Sequence, residues 1–259
     1  MFKLYKQEVF KIIKSDSTYW LITALLLQNF LFAVISHLYP EHFIPKELFV
    51  SNYATTSFIA LIMIATTASI VSSEFEYNTL KNIIVESASR QQIIISKWLT
   101  ILTYSLALYL LISCETLLNK LLFFQHSFYL SESLHGSSIL LWQYWLETLF
   151  TNFINLWLLL SLVFLIASLL KKSSTAIVFG LVGYFALSIT GRLMFQLIKK
   201  WEFLKWNPIN FLNYPFQLAE PSAIAALTKL TDFQLFIGNI AYIFLFLSIG
   251  LVLFSKKEA

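Results

Sequence analysis

Residues 72–100, SSEFEYNTLKNIIVESASRQQIIISKWLT, gather acids, bases and amides between two apolar runs. The runs on either side, 53–71 and 98–118, are each close to the roughly 20 residues that cross a bilayer as a helix. The polar island therefore divides two spans and is too charged to belong to either core. The rest of the chain repeats the pattern, with further apolar runs at 20–38, 146–170, 174–195 and 233–254. No soluble domain fits between them. The expectation is an all-α membrane protein of six transmembrane helices forming one domain over residues 1–259.

Composition agrees. Hydrophobic residues make up 58% of the chain and charged residues 12%, with a mean hydropathy of +0.72; a soluble domain carries roughly 25% charge. The Leu, Ile and Phe runs lack the alternation of a barrel strand. The net charge of +4 comes without a Lys/Arg stripe interleaved with stacking aromatics, so nucleic acid is not an expected partner. Cys114 lies alone in an apolar run and supports neither a disulfide nor a thiolate metal site. The four histidines are scattered, and no metal cluster is expected.

Before the first run, Phe2, Tyr5, Val9, Ile12 and Ile13 recur at helical spacing while Lys3, Lys6, Gln7, Lys11 and Lys14 fall largely elsewhere. Residues 1–16 are thus expected to form an amphipathic helix in the headgroup plane, its lysines facing anionic membrane lipids. The following run is too long for a signal peptide and lacks a small-residue cleavage site, so it should stay attached. The residues Ser15, Asp16, Ser17 and Thr18 supply capping groups at the turn into the bilayer.

Orientation follows from the basic residues. With the first segment inside, Lys3, Lys6, Lys11, Lys14, Lys81, Arg90, Lys97, Lys171, Lys172, Lys256 and Lys257 are cytoplasmic; Lys46, Lys120, Arg192, Lys199, Lys200, Lys205 and Lys229 are outside. The majority favours both termini in the cytoplasm, against a cluster of basic residues near the end of the fifth span. The connection 196–232 is aromatic, and Pro208, Pro215 and Pro221 cut it into pieces too short to span. It is expected to form short re-entrant or interfacial helices between the last two spans.

Within the island, residues 72–97, Leu80, Ile83 and Ile84 share one side of a short helix, with Lys81 and Asn82 on the other. Glu74 and Glu76, then Asn78 and Thr79, then Ser89 and Arg90, then Lys97 follow one another at fixed spacing. In this the chain resembles the type-2 ABC-transporter permeases, six-span subunits of many bacterial exporters. Their loop after the second span has Glu-x-Glu-x-Gly-Thr, a Pro, x-Ser-Arg and a Lys in the same register. Asn78 stands in place of the usual Gly and Ser87 in place of the usual Pro. Asn tolerates a left-handed backbone, and Ser caps a helix that Pro would start.

The resemblance implies a coupling helix seated on a separate cytoplasmic ABC ATPase, with Glu74, Glu76, Asn78, Thr79, Leu80, Lys81, Asn82, Ile83, Ile84, Arg90 and Lys97 as the coupling set. Glu74 and Glu76 would brace the second span or pair with Arg90 or Lys97. None of the six glycines is followed by Lys, so the chain has no nucleotide-binding loop. ATP and magnesium would be held by the partner, with no cofactor in this chain and no enzymatic activity of its own. Two ATPase copies and a second permease, identical or not, are implied. So is a bacterial cell-membrane location. The pathway, at the interface between permeases, would be lined by Gln28, Asn29, Ser57, Thr66, Thr67, Ser188 and Thr190, or these would serve ordinary packing.

Charges inside spans are expensive. Glu115 or Glu147 is expected to pair with Arg192 near the outer interface, or each snorkels to the headgroups. The functional expectation is an exporter of an amphipathic peptide or lipophilic drug. The alternatives are a peptide-binding immunity or sensor protein, related to antimicrobial resistance in producer bacteria, and a CAAX-type intramembrane protease. Against the protease, Val85 replaces one motif Glu, and Phe-x-x-x-His is not found.

Overall fold

A computed structural model describes residues 1–76, 89–133 and 139–256. In chain order the helices are α1 (Phe2–Lys14), α2 (Asp16–Leu38), α3 (Pro45–Val50), α4 (Thr55–Glu76), α5 (Arg90–Phe123), α6 (Leu141–Leu169) and α7 (Ser173–Lys200). A 3-10 turn, Glu202–Trp206, leads to α8 (Pro208–Phe211), α9 (Tyr214–Ala219), α10 (Pro221–Thr228) and α11 (Asp232–Lys256). Among the described residues there is no strand, only an isolated bridge between Ser133 and Leu140. Among the described residues six helices are long and apolar enough to cross a membrane. The chain is an all-α, multi-pass membrane protein.

The helices outrun the apolar cores that announce them. Helix α5 has 34 residues and is about 50 Å long at 1.5 Å per residue. Its first turns lie in the polar island. They are helical because Ile93, Ile94, Ser96 and Lys97 are buried on one side, and because Ser89 and Gln92 exchange side-chain and backbone hydrogen bonds as a capping box (3.2 and 3.3 Å). Thr231 and Gln234 repeat the device at the start of α11. At α2, Ser15 occupies the cap position without a side-chain capping bond, while the Thr18 hydroxyl donates to the Ile12 carbonyl at 2.7 Å.

The chain divides into two compact units that share the long helices. One comprises Val9–Ile62 and Leu102–Phe150. Here the connection after α2 folds back along it. Ser36 donates to the Phe43 carbonyl, and Asn29 donates to the Asn52 carbonyl and the Thr55 hydroxyl. Asn29 lies nine residues before Leu38, so α4 starts level with a point about 13 Å inside the end of α2. The turn into α4 holds Asn52, Tyr53 and Ala54 at φ of 51°, 51° and 61°, three successive non-glycine residues in the left-handed region. An aromatic core of Phe49, Phe124, Phe128 and Trp145, with Tyr53, Leu141 and Ala33, packs around it.

In the same unit Lys46 donates to Glu132. That bond, with the Tyr129 N–H, holds the Glu132 carboxyl below the usual carboxylate range. A lowered folded-state pKa contributes stability above the unfolded value, roughly 4.3, and loses it as pH falls through the folded one. The melting difference between wild type and Glu132→Gln is expected to be small, constant near neutral pH, and to shrink as pH falls below about 4, closing only under the lowered folded-state value. A thermal scan across pH measures it.

The second unit comprises Met1–Glu8, Met63–Ile101 and Thr151–Ala259. Its connection between α7 and α11 contains the 3-10 turn and three short helices, each α segment with Pro at its start. Side chains tie it together: Asn207 accepts from the Ile209 and Asn210 N–H groups, Asn210 donates to the Lys205 and Thr228 carbonyls, and Gln217 donates to the Leu230 carbonyl and Asp232. It also folds back along α11, where Asn239 donates to the Phe211 carbonyl at 3.1 Å and the Tyr242 hydroxyl to the Trp206 carbonyl at 3.0 Å. Phe211 fits because residue 238 is glycine: a Cβ there would lie 2.1 Å from its ring. Gly238→Ala is expected to cost about 1–3 kcal/mol through overpacking. In a Phe211→Ala background, itself destabilised by the cavity left by that buried ring, the same glycine substitution should cost little in a melting assay, because the clashing ring is gone.

Candidate functional site

The strongest convergence of charge among the described residues frames the segment 77–88. Lys97, seven residues into α5, has no exposed surface. Its ammonium sits 2.9 Å from Glu74 Oε1, near the end of α4, and 3.1 Å from Glu8 Oε2, on α1. Both carboxylates are buried. A fully buried cation is tolerated only with such partners, and removing one leaves an uncompensated charge. The triad therefore fixes three helices at one point.

Two further bonds bind the frame to helix ends. Glu76 accepts from the Ser173 N–H at 2.9 Å. Ser173 is the first residue of α7, whose own N-cap, Lys172, offers no side-chain cap, so Glu76 supplies both the missing acceptor and the favourable charge at a helix N-terminus. Arg90 donates to the Ser255 carbonyl at 2.9 Å, in the last turn of α11, where orphan carbonyls and the helix dipole favour a cation. Phe75 packs edge-on against Phe254, ring centroids 5.0 Å apart, beside that junction. Thus the side chains before the segment reach α5, α7 and α11, and those after it reach α1, α4 and α11.

Of the coupling set, Glu74, Glu76, Arg90 and Lys97 are brought into this frame. Asn78, Thr79, Leu80, Lys81, Asn82, Ile83 and Ile84 lie outside the described residues. Sequence reasoning missed Glu8, Ser173 and Ser255. Glu8 had a signal: it is the only acid among residues 1–14, and it falls between Tyr5 and Ile12 on the apolar side of α1. Ser173 and Ser255 contribute backbone groups, which no side-chain pattern reveals.

The pathway set divides. Asn29 and Thr67 are fully buried in the chain's own packing. Asn29 Nδ2 reaches Asn52, Thr55 and Thr116, and its Oδ1 accepts from Asn119 at 2.9 Å. Gln28 donates to the Tyr53 carbonyl at 2.8 Å. Thr66 is half-buried, Ser57 and Ser188 are exposed, and Thr190 is half-buried. The Ser188 and Thr190 hydroxyls bond back to the Tyr184 and Ala186 carbonyls, which lets them sit in an apolar setting. Glu115 carries a buried Oε2 without a partner, and Glu147 is exposed. The side chain of Arg192 lies outside the described residues. Among the described residues no group of three or more His, Cys, Asp or Glu could hold a metal ion.

Among the described residues these bonds tie α1, α4, α5, α7 and α11 together on the two sides of segment 77–88. Comparison with known proteins agrees with a transport role. Residues 4–187 match the family model described as ABC-2 family transporter protein. An uncharacterized membrane protein of Bacillus subtilis (strain 168), YdbK, is 27% identical over 219 residues, covering 82% of this chain and 84% of its own length. A match across that much of the chain, with six apolar helices among the described residues, places it: this chain belongs to the ABC-2 transporter family, whose multi-pass permeases work with an ABC ATPase.

Proposed function

We propose that this chain is the membrane-spanning subunit of an ATP-driven exporter in a bacterial cell membrane, with both termini cytoplasmic and the segment 77–88 seated on the ATPase. The observation that carries this reading is the frame around that segment. Glu74 and Glu76 on one flank, and Arg90 and Lys97 on the other, are bonded to one another, to the middle of α1 and to the ends of α7 and α11. A load applied to the segment would pass into several helices at once, as rigid-body switching of packed helices requires. The chain itself carries no catalytic residue in this reading; ATP and magnesium act in two ATPase copies.

A second permease copy, identical or not, completes the pathway. Helix α7 supports this with Val178, Val182, Phe185 and Ile189, an exposed stripe at helical spacing. An apolar, aromatic chain with few charges suits an amphipathic peptide or a lipophilic drug as cargo. The test is photo-crosslinking from positions Lys81 and Asn82 in native membranes, followed by ATPase assay of the captured complex against amphipathic peptides. Capture of an ABC ATPase whose turnover rises with peptide is expected. No ATPase captured, or labelling of that segment from outside the cell, would overturn the reading.

A further inference from the structure

Helix α1 presents three distinct faces. Glu8 and Ile12 are buried against the protein. Phe2, Phe10 and Ile13 share a second face and are 68%, 60% and 53% exposed. Lys3, Lys11 and Lys14 form a third sector beside it, with Lys6 among the exposed apolar residues. The ammonium groups of Lys6 and Lys14 lie over the Phe2 and Phe10 rings at 4.7 and 5.9 Å, the arrangement of stems that cover apolar surface while the charge points outward. The helix's one acid is turned inward onto Lys97. Apart from the neutral Gln7, its exposed side is therefore cationic and apolar, the complement of an anionic bilayer surface.

We propose that α1 is a sensor of anionic lipid, and that Glu8 transmits its engagement to the loop frame, so that the negative charge of the membrane sets ATPase turnover. The inference rests on the permease reading and adds its regulation. Headgroups that bind Lys3, Lys6 and Lys14 hold α1 in the headgroup plane. Because Glu8 grips Lys97, which also grips Glu74, fixing α1 stiffens both flanks of segment 77–88. Each lysine near an anionic surface contributes about a fivefold preference, reduced by salt as exposed charges are screened.

The experiment places the permease–ATPase complex in nanodiscs of phosphatidylcholine alone or with about 30 mol% phosphatidylglycerol, anionic enough to attract a basic helix. It reads ATPase turnover and hydrogen exchange over residues 2–14. In wild type, phosphatidylglycerol is expected to raise turnover several-fold and slow exchange in α1, both effects fading with added salt. In Lys3→Gln/Lys6→Gln/Lys14→Gln both responses are lost. In Glu8→Gln the exchange response persists and the turnover response is lost, which separates lipid engagement from transmission. Equal turnover and exchange in the two lipids, or a triple variant that responds like wild type, overturns the proposal. A complex lacking ATPase activity in every lipid, while α1 still responds in exchange, overturns the permease reading instead.

Discussion

Lys97→Met is expected to lower the stability of the protein by about 3–5 kcal/mol, the loss that follows when a buried ion pair is broken from one side. The reason is the residue's setting. Lys97 has no exposed surface, and its ammonium is shared by Glu8 and Glu74 at 3.1 and 2.9 Å. Methionine fills a similar volume, so little of the effect comes from packing. What remains is two carboxylates facing each other in a site that excludes water. At the few degrees per kcal/mol usual for a chain of this size, the melting temperature in detergent should fall by on the order of 10 °C.

A control separates charge from shape. In Lys97→Met/Glu8→Gln/Glu74→Gln no buried charge is left uncompensated, and stability should return most of the way, because replacing a whole buried ion cluster by neutral groups is often close to neutral. If the single and triple variants melt alike, the triad is not an electrostatic joint. The functional readout differs: the triple variant has no ionic link from α1 to α5, so ATPase coupling should remain impaired even where folding has recovered.

How far such joints can be foreseen from sequence depends on what they are made of. The six spans were legible because lipid demands about 20 apolar residues in a row and tolerates few charges, a constraint that acts locally. Glu74, Glu76, Arg90 and Lys97 were legible because they sit close together in one polar island, and Lys97 as a partner of Glu74 was among the pairings considered. Glu8 was hidden by distance, 89 residues from Lys97. The helical extension of α5 back to Arg90 was hidden because hydropathy sees only the part that lipid requires, whereas Ile93 and Ile94 are buried by protein.

The fold-back after α2 was hidden for a different reason. Left-handed turns announce themselves by glycine, and Asn52, Tyr53 and Ala54 contain none. Asn52 is the only one of the three that adopts this conformation readily. The conformation is imposed by tertiary bonds, so no local pattern encodes it. The connection 201–231, by contrast, was foreseen to be broken, because Pro208, Pro215 and Pro221 mark its pieces directly.

That imposed turn gives the second large effect. Asn29→Leu is expected to destabilise the protein by about 2–4 kcal/mol, from buried polar groups left without partners. Leucine matches asparagine in size, so the loss lies in the bonds: the Asn52 carbonyl, the Thr55 and Thr116 hydroxyls and the Asn119 amide all lose a partner. The turn then relies on Gln28 at the Tyr53 carbonyl and Trp145 Nε1 at Asn52 Oδ1, 3.0 Å away. Three left-handed residues oppose these bonds, at roughly 1–2 kcal/mol for each residue that is not glycine. Relieving the opposition should therefore stabilise: Ala54→Gly is expected to add about 1 kcal/mol less the entropy glycine brings to the unfolded chain, and to add less than that in an Asn29→Leu background, where the unclamped turn has already shed its strain. Melting curves of the two single variants and the double variant measure this coupling. Strict additivity would mean that Asn29 binds α2, α4 and α5 together without holding the turn, whereas a double variant less stable than the sum of its parts locates the strain at residues 52–54, with the Asn29 side chain as the clamp that keeps it there.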